Sequence, residues 1–333
     1  MRSRPMQATD VDTCVDLLER IPEIARRYGP AMASLRLAWR HLIGREAMRT
    51  AVFEEDEGAR ARIWGVGVGV FVYDAFLHAL KTPPMFWFGP ELATRVVRGD
   101  SPILSDGEVR EANSTDGLNL VVWEGWSLPE FTSRPDANRL RVSAFVDSYR
   151  GFRIKEAITS QVASAEWLQW TMDVGGLLWD PLSGQYVNPL GRDLAEICSE
   201  PHLVGTTPEV EASRLGSWIG PLFDYHAPRV GFSRSEQRLL MAALPGRTDE
   251  ELCRDLDTTL PAVKSTWRSI FNRAATRLPD LFEETTRMDA LTGERGKERR
   301  RPLLTYLRDH PEELRPLSRA IFAERRRMGE HRG

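Results

Sequence analysis

Between Thr259 and Leu278 the chain carries Lys264, Arg268, Arg273 and Arg277 and no acidic residue. Placed at about 100° per position, Val263, Trp267, Ile270 and Ala274 form one stripe, while Pro261, Lys264, Ser265, Arg268 and Asn272 point the other way. The second set has a definite chemistry. Arginine and lysine donate to guanine edges or phosphates, asparagine reads adenine, and serine does either. The spacing therefore predicts a helix with one face for a protein core and one for the major groove of duplex DNA. Thr259 is the natural N-cap and Pro261 sits in the first turn, where a missing amide proton costs little. Arg273 and Thr259 itself complete the candidate DNA contacts.

Two further helices must position this one. Ser233 with Glu236 three residues on, and Thr248 with Glu251 three residues on, each read as a capping box at a helix start. The first helix is expected to run to about Leu244, where Pro245 and Gly246 stop it. The second is expected to run to Leu256, followed by the short polar turn Asp257-Thr258-Thr259. Leu239, Leu240, Leu244, Leu252 and Leu256 are then available to cover the apolar stripe, and the second helix braces the backbone.

Residue by residue, the same stretch resembles the LuxR-type (GerE-type) helix-turn-helix domain of bacterial transcriptional regulators. The family's opening is matched by Phe232-Ser233, Glu236 and Leu239-Leu240, and its middle by Gly246, Thr248, Glu251-Leu252-Cys253 and Leu256. Its last helix is matched by Thr259, Ala262-Val263-Lys264 and Ile270. Thr266 stands where the family usually has histidine, and Ala262 where it has threonine. The resemblance implies a transcription regulator that binds double-stranded DNA as a homodimer, with RNA polymerase a candidate partner.

Composition bounds the rest. A chain of 333 residues with 41% hydrophobic side chains is long enough for two cores. Its formal charge of -3 gives no general affinity for polyanions, so a DNA contact must come from a locally basic surface. Cys14, Cys198 and Cys253 are scattered without zinc-ligand spacing, which suits a reducing cytoplasm. Ile63 to Tyr73, the longest apolar run, is too short to cross a bilayer, so no membrane partner is expected. The six histidines form no H-E-x-x-H pattern, and no P-loop, G-x-S-x-G or kinase signature is present. No metal, cofactor or catalytic residue is assigned.

The N-terminal part reads as mixed α/β. Thr9 or Asp10 is expected to cap a helix carrying Val11, Cys14, Val15 and Leu18, with more helix from Ala31 to Ala51 and the acidic cluster Glu54 to Gly58 as a loop. Arg62 to Tyr73 alternates with period two, placing Gly65, Gly67 and Gly69 on one strand face and Val66, Val68 and Val70 on the other. Further on come a strand at Leu118 to Trp123, a helix at Asp136 to Tyr149, a strand at Phe152 to Val162, a helix at Ala165 to Val174 and a strand at Leu177 to Trp179. This order is similar to that of the GNAT acetyltransferase fold. That family holds the pyrophosphate of acetyl-CoA with R-x-x-G-x-G between strand and helix, and here the loop Glu124 to Phe131 has no G-x-G. The literal match, Arg62 to Gly67, lies inside a strand. The aromatic turns Pro83 to Pro90 and Ser101 to Ser105 are candidates to line a ligand pocket.

The expected fold class is α+β: an N-terminal α/β GNAT-like sensory domain (1–180), a breaker-rich connector (181–230), an all-α C-terminal LuxR-type helix-turn-helix domain (231–279) and a basic helical tail (280–333). The basic run Gly293 to Arg301 reads as a solvated face or as a contact to flanking phosphates. The sequence points to a cytoplasmic DNA-binding regulator whose N-terminal domain senses an unidentified small molecule or a partner. The alternative is an acyl-CoA-dependent N-acetyltransferase carrying a DNA-targeting module.

Overall fold

The computed structural model describes residues 1–57, 60–160, 165–189, 191–214, 216–282 and 297–330. The chain divides into two compact units, Met1–Asp224 and Tyr225–Gly333. Among the described residues no helix is long and apolar enough to cross a membrane.

The first unit opens with β1 (Arg2–Arg4), α1 (Val11–Glu19), α2 (Pro22–Tyr28) and α3 (Ala31–Leu42), followed by the long hairpin β2 (Met48–Glu57) and β3 (Arg60–Val72). Then come α4 (Asp74–Lys81), α5 (Phe88–Arg98), α6 (Asp106–Ser114), β4 (Leu118–Ser127), α7 (Pro129–Thr132), α8 (Pro135–Tyr149) and β5 (Ile154–Thr159). The unit closes with α9 (Ala165–Asp173), β6 (Leu177–Asp180), β7 (Gln185–Val187), α10 (Leu194–Ser199), β8 (Val204–Thr206) and α11 (Pro208–Ala212).

All eight strands form one sheet in the order β1-β2-β3-β4-β5-β8-β6-β7. Among the described strands only β4 and β5 pair parallel, and α8 lies in the connection between them, as a parallel pair requires. The alternation expected for β3 is present. Val66, Val68 and Val70 enter a core with Val11, Leu35 and Trp39, while Tyr149 of α8 closes on the glycine face at Gly69. That close approach requires a residue without a side chain at position 69.

Three expectations are corrected. The acidic cluster Glu54 to Glu57 is strand, and helix ends at Leu42. Glu54 is buried because Arg2 and Arg4, across the β1–β2 pair, donate to its carboxylate from their Nε atoms at 3.0 and 2.8 Å. The boundary between units falls after Asp224, since residues 181–224 supply β7 and β8 to the sheet and are part of the first unit. Phe88, from the aromatic turns, begins α5, and Ile103 bridges to Val72.

The second unit holds α12 (Arg234–Ala243), α13 (Asp249–Asp255), α14 (Leu260–Arg277), α15 (Lys297–Asp309) and α16 (Arg319–Glu330). Both capping boxes form as expected. The tail is not an appendage to this unit. Leu303, Leu304, Leu307 and Leu314 share one core with Leu239, Leu240, Leu252, Val263, Trp267 and Ile270. Fully buried Glu313 accepts the backbone N–H groups of Arg229 at 2.7 Å and Val230 at 3.1 Å, and Gln237 of α12 donates to the Glu313 and Arg315 carbonyls at 3.0 and 2.7 Å. The tail thereby satisfies backbone groups that entry into α12 would leave unpaired.

Candidate nucleic-acid interface

Helix α14 starts where the sequence indicates. The Thr259 hydroxyl accepts from the Ala262 N–H at 3.4 Å, and Pro261 occupies the first turn. Asp257, at φ 49°, supplies the left-handed turn that redirects the chain from α13 into α14. Val263, Trp267, Ile270 and Ala274 are buried, at 1, 6, 0 and 0% exposure. The opposite face carries exposed Pro261, Lys264, Ser265, Arg268 and Asn272. Of these, Pro261, Lys264, Ser265 and Arg268, with Leu260, surround one shallow surface depression. Neither Lys264 nor Arg268 is engaged in an ion pair among the described residues.

Arg273 is placed differently from the other candidates. Its Nε donates to the Glu236 carboxylate of α12 at 3.1 Å, and Ser269 donates to the same carboxylate at 2.7 Å. Because 273 lies on the border between the buried and exposed stripes, its side chain reaches inward to a carboxylate that α12 already holds as the partner of its capping box. Arg273 therefore ties α14 to α12 and sets the angle at which the exposed face is presented.

Glu236 is 2% exposed. Burial acts to raise its pKa, but the backbone N–H of Ser233, the hydroxyls of Ser269 and Ser233, and the Arg273 guanidinium outweigh it, so the carboxyl is held below its ordinary value. A depressed folded pKa stabilises the fold above the unfolded value, roughly 4.3, and that contribution disappears as the pH falls through the folded value. Glu236→Gln is expected to lower stability at pH 7 and to flatten its decline between neutral and acid pH. Urea midpoints of both proteins across pH 3 to 7 check this, and parallel curves would refute it.

Two features bear on the local charge. Acidic residues crowd α13, but Asp249 is paired with Arg300 at 2.9 Å, and Glu251 and Asp255 both face Arg247 at 3.5 Å. Arg300 also lies 4.4 Å over the Trp267 ring. This residue of the basic run therefore packs against the head, and the part from Gly293 to Gly296 lies outside the described residues. Sequence reasoning missed Glu313, Gln237 and Arg300 as supports of the head, since each acts across more than fifty positions and leaves no local pattern.

No protein-family model matches the chain, and a search of curated proteins returns no significant match.

Proposed function

We propose that the chain is a DNA-binding transcription regulator, with α14 as the reading helix and residues 1–224 as a sensing domain. The observation that carries this reading is the exposed face of α14. Lys264, Ser265 and Arg268 stand together on it without an acidic neighbour on the helix, and the opposite stripe is buried in a three-helix head. Such a helix has the length and donor set to enter a major groove, while α13, packed against it, braces the backbone. Asn272, one turn further on, extends the same face. The resemblance to LuxR-type domains adds support, as does the parallel β4–β5 pair joined through α8 for the GNAT-like reading of the first unit. A homodimer follows from the short length of DNA that one helix can read.

The glycines of Arg62 to Gly67 lie within β3, paired on one side to β2 and on the other to β4, so their amides do not converge on an anion as a phosphate loop requires. This favours a sensing role over acyl transfer for the first unit.

The test is selection from a pool of random duplexes by the full-length protein, beside a Lys264→Ala, Arg268→Ala double variant. A motif enriched by the wild type alone is the expected result, and no enrichment by either protein counts against the reading. In a titration on the selected site, Arg268→Ala is expected to weaken binding by roughly 1 to 3 kcal/mol. Unchanged affinity would remove Arg268 from the interface.

A further inference from the structure

A cavity of about 150 Å³ lies within the first unit, between the glycine face of the sheet and helices α8 and α9. Its floor has a cause in the sequence. Gly67 of β3 pairs directly with Gly125 of β4, so two neighbouring positions on one face carry no side chain. A Cβ at Gly67 would meet only the Phe53 ring at 3.9 Å, and one at Gly125 only Val122 at 4.0 Å. Neither glycine has positive φ, so no turn accounts for them. Glycine weakens a strand interior and there often marks the approach of a ligand.

The walls are mainly apolar, with Val142, Phe145, Trp170 and Val204 among them, but two arginines also line the cavity. Arg141 is 7% exposed and lies 4.4 and 4.6 Å over the rings of Trp167 and Trp170. It donates to Ser127 Oγ at 2.8 Å and Asn138 Oδ1 at 2.5 Å, both neutral, and its Nε has no hydrogen-bond partner in the protein. Burial alone lowers its pKa, to about 10. Arg49 enters from β2, stacked 5.0 Å from the Phe152 ring, and its buried Nε is likewise unpartnered. The carboxylate among the lining residues, Glu124, is already engaged. It accepts from the Tyr28 hydroxyl at 2.5 Å and faces Arg27 at 3.8 Å. The Arg141 guanidinium thus lines an apolar cavity without an ion pair among the described residues, an arrangement that is costly unless an anion joins it, whereas Arg49 also feels the charges of Glu46 and Asp106.

We propose that this cavity binds a small monocarboxylate with a benzene-sized apolar body, the carboxylate held by Arg141 and the body lying over Gly67 and Gly125. The size argument is direct, since an apolar cavity of about 150 Å³ holds a benzene ring. The charge argument selects an acid over a neutral ligand, because a guanidinium gives a carboxylate a charge-assisted hydrogen bond. This names the ligand class for the sensing role proposed above and rests on that reading for its purpose. Binding itself does not depend on what the second unit does.

The experiment uses the full-length protein with benzoate and 3-methylbutanoate, each beside its neutral amide, by titration calorimetry and melting temperature. A ligand that binds only the folded state raises the melting temperature with concentration. At least one acid is expected to bind, about tenfold or more tighter than its amide, in line with a hydrogen bond to a charged group. Arg141→Met is expected to abolish that preference. Gly67→Val is expected to fold, because space is open at its Cβ, and to lose binding by filling the floor. Absence of binding by both acids, equal affinity for acid and amide, or retained binding by folded Gly67→Val would each overturn the proposal. DNA selection by the same preparation reads the second unit separately, so a protein that selects DNA but ignores both acids fails this inference alone.

Discussion

Trp267→Ala is expected to destabilise the second unit by about 3 to 5 kcal/mol, the range for truncating a buried aromatic side chain to alanine. The indole is 6% exposed and stacks on Phe271 at 5.4 Å with an interplanar angle of 18°. The Arg300 guanidinium lies 4.4 Å over the ring. Truncation opens a cavity between α14 and the rest of the core, and it removes the surface on which Arg300 lies while that residue remains paired to Asp249. Because the tail shares this core, protection from hydrogen exchange should fall in α12, α14 and α15 together. DNA selection should weaken as well, although Trp267 lies opposite the exposed face, since the α14 backbone that carries Lys264 and Arg268 would lose its seat. Trp267→Phe keeps an aromatic partner for Phe271 and should cost less. A denaturation midpoint unchanged in Trp267→Ala would show that α14 is not packed as described.

The head was legible in the sequence because its determinants are local. Capping boxes act over three residues, the apolar stripe repeats within one helix, and Thr259, Pro261 and Asp257 fix a turn by their own backbone preferences. The face formed by Pro261, Lys264, Ser265 and Arg268 follows from the same periodicity. What stayed hidden depends on partners far along the chain. Glu54 reads as part of a solvated acidic loop until Arg2 and Arg4 are placed beside it, some fifty positions away. Strands β7 and β8, three residues each, are too short to show a period, and proline and glycine around them suggest a connector. Arg49 and Arg141 look like surface arginines in sequence, and only the sheet with α8 and α9 brings them to one cavity. One signal lies in the sequence itself: the glycine face of β3 leaves room for a close approach, and it meets Tyr149 at Gly69 and the cavity at Gly67.

Gly205→Ala is expected to cost the first unit more than about 3 kcal/mol, above the usual range for a single added methyl group in a packed core. Gly205 sits in β8, paired with Ile158 of β5 on one side and Leu177 of β6 on the other. A Cβ there would overlap the carbonyl oxygen of Ala157, and it would lie 2.8 Å from the Tyr186 hydroxyl and 2.9 Å from Ile158. A side-chain end can swing aside, but the Ala157 carbonyl belongs to β5 and cannot move without opening the ladder to a neighbouring strand. The strain would then pass to Tyr186, whose hydroxyl donates to Glu156, and from there to Lys81, which pairs with Glu156 at 2.6 Å. The strands from β5 to β7 should lose exchange protection together, while α12 to α14 keep theirs. Gly184→Ala separates overlap from backbone strain: that glycine has φ of 66° and nothing within 4 Å of a Cβ. It should therefore cost only the left-handed penalty, roughly 1 to 2 kcal/mol. Equal losses in the two variants would mean that β8 is not held between β5 and β6, whereas a large loss confined to Gly205→Ala fixes the residues expected to be a connector as an interior strand of the sheet.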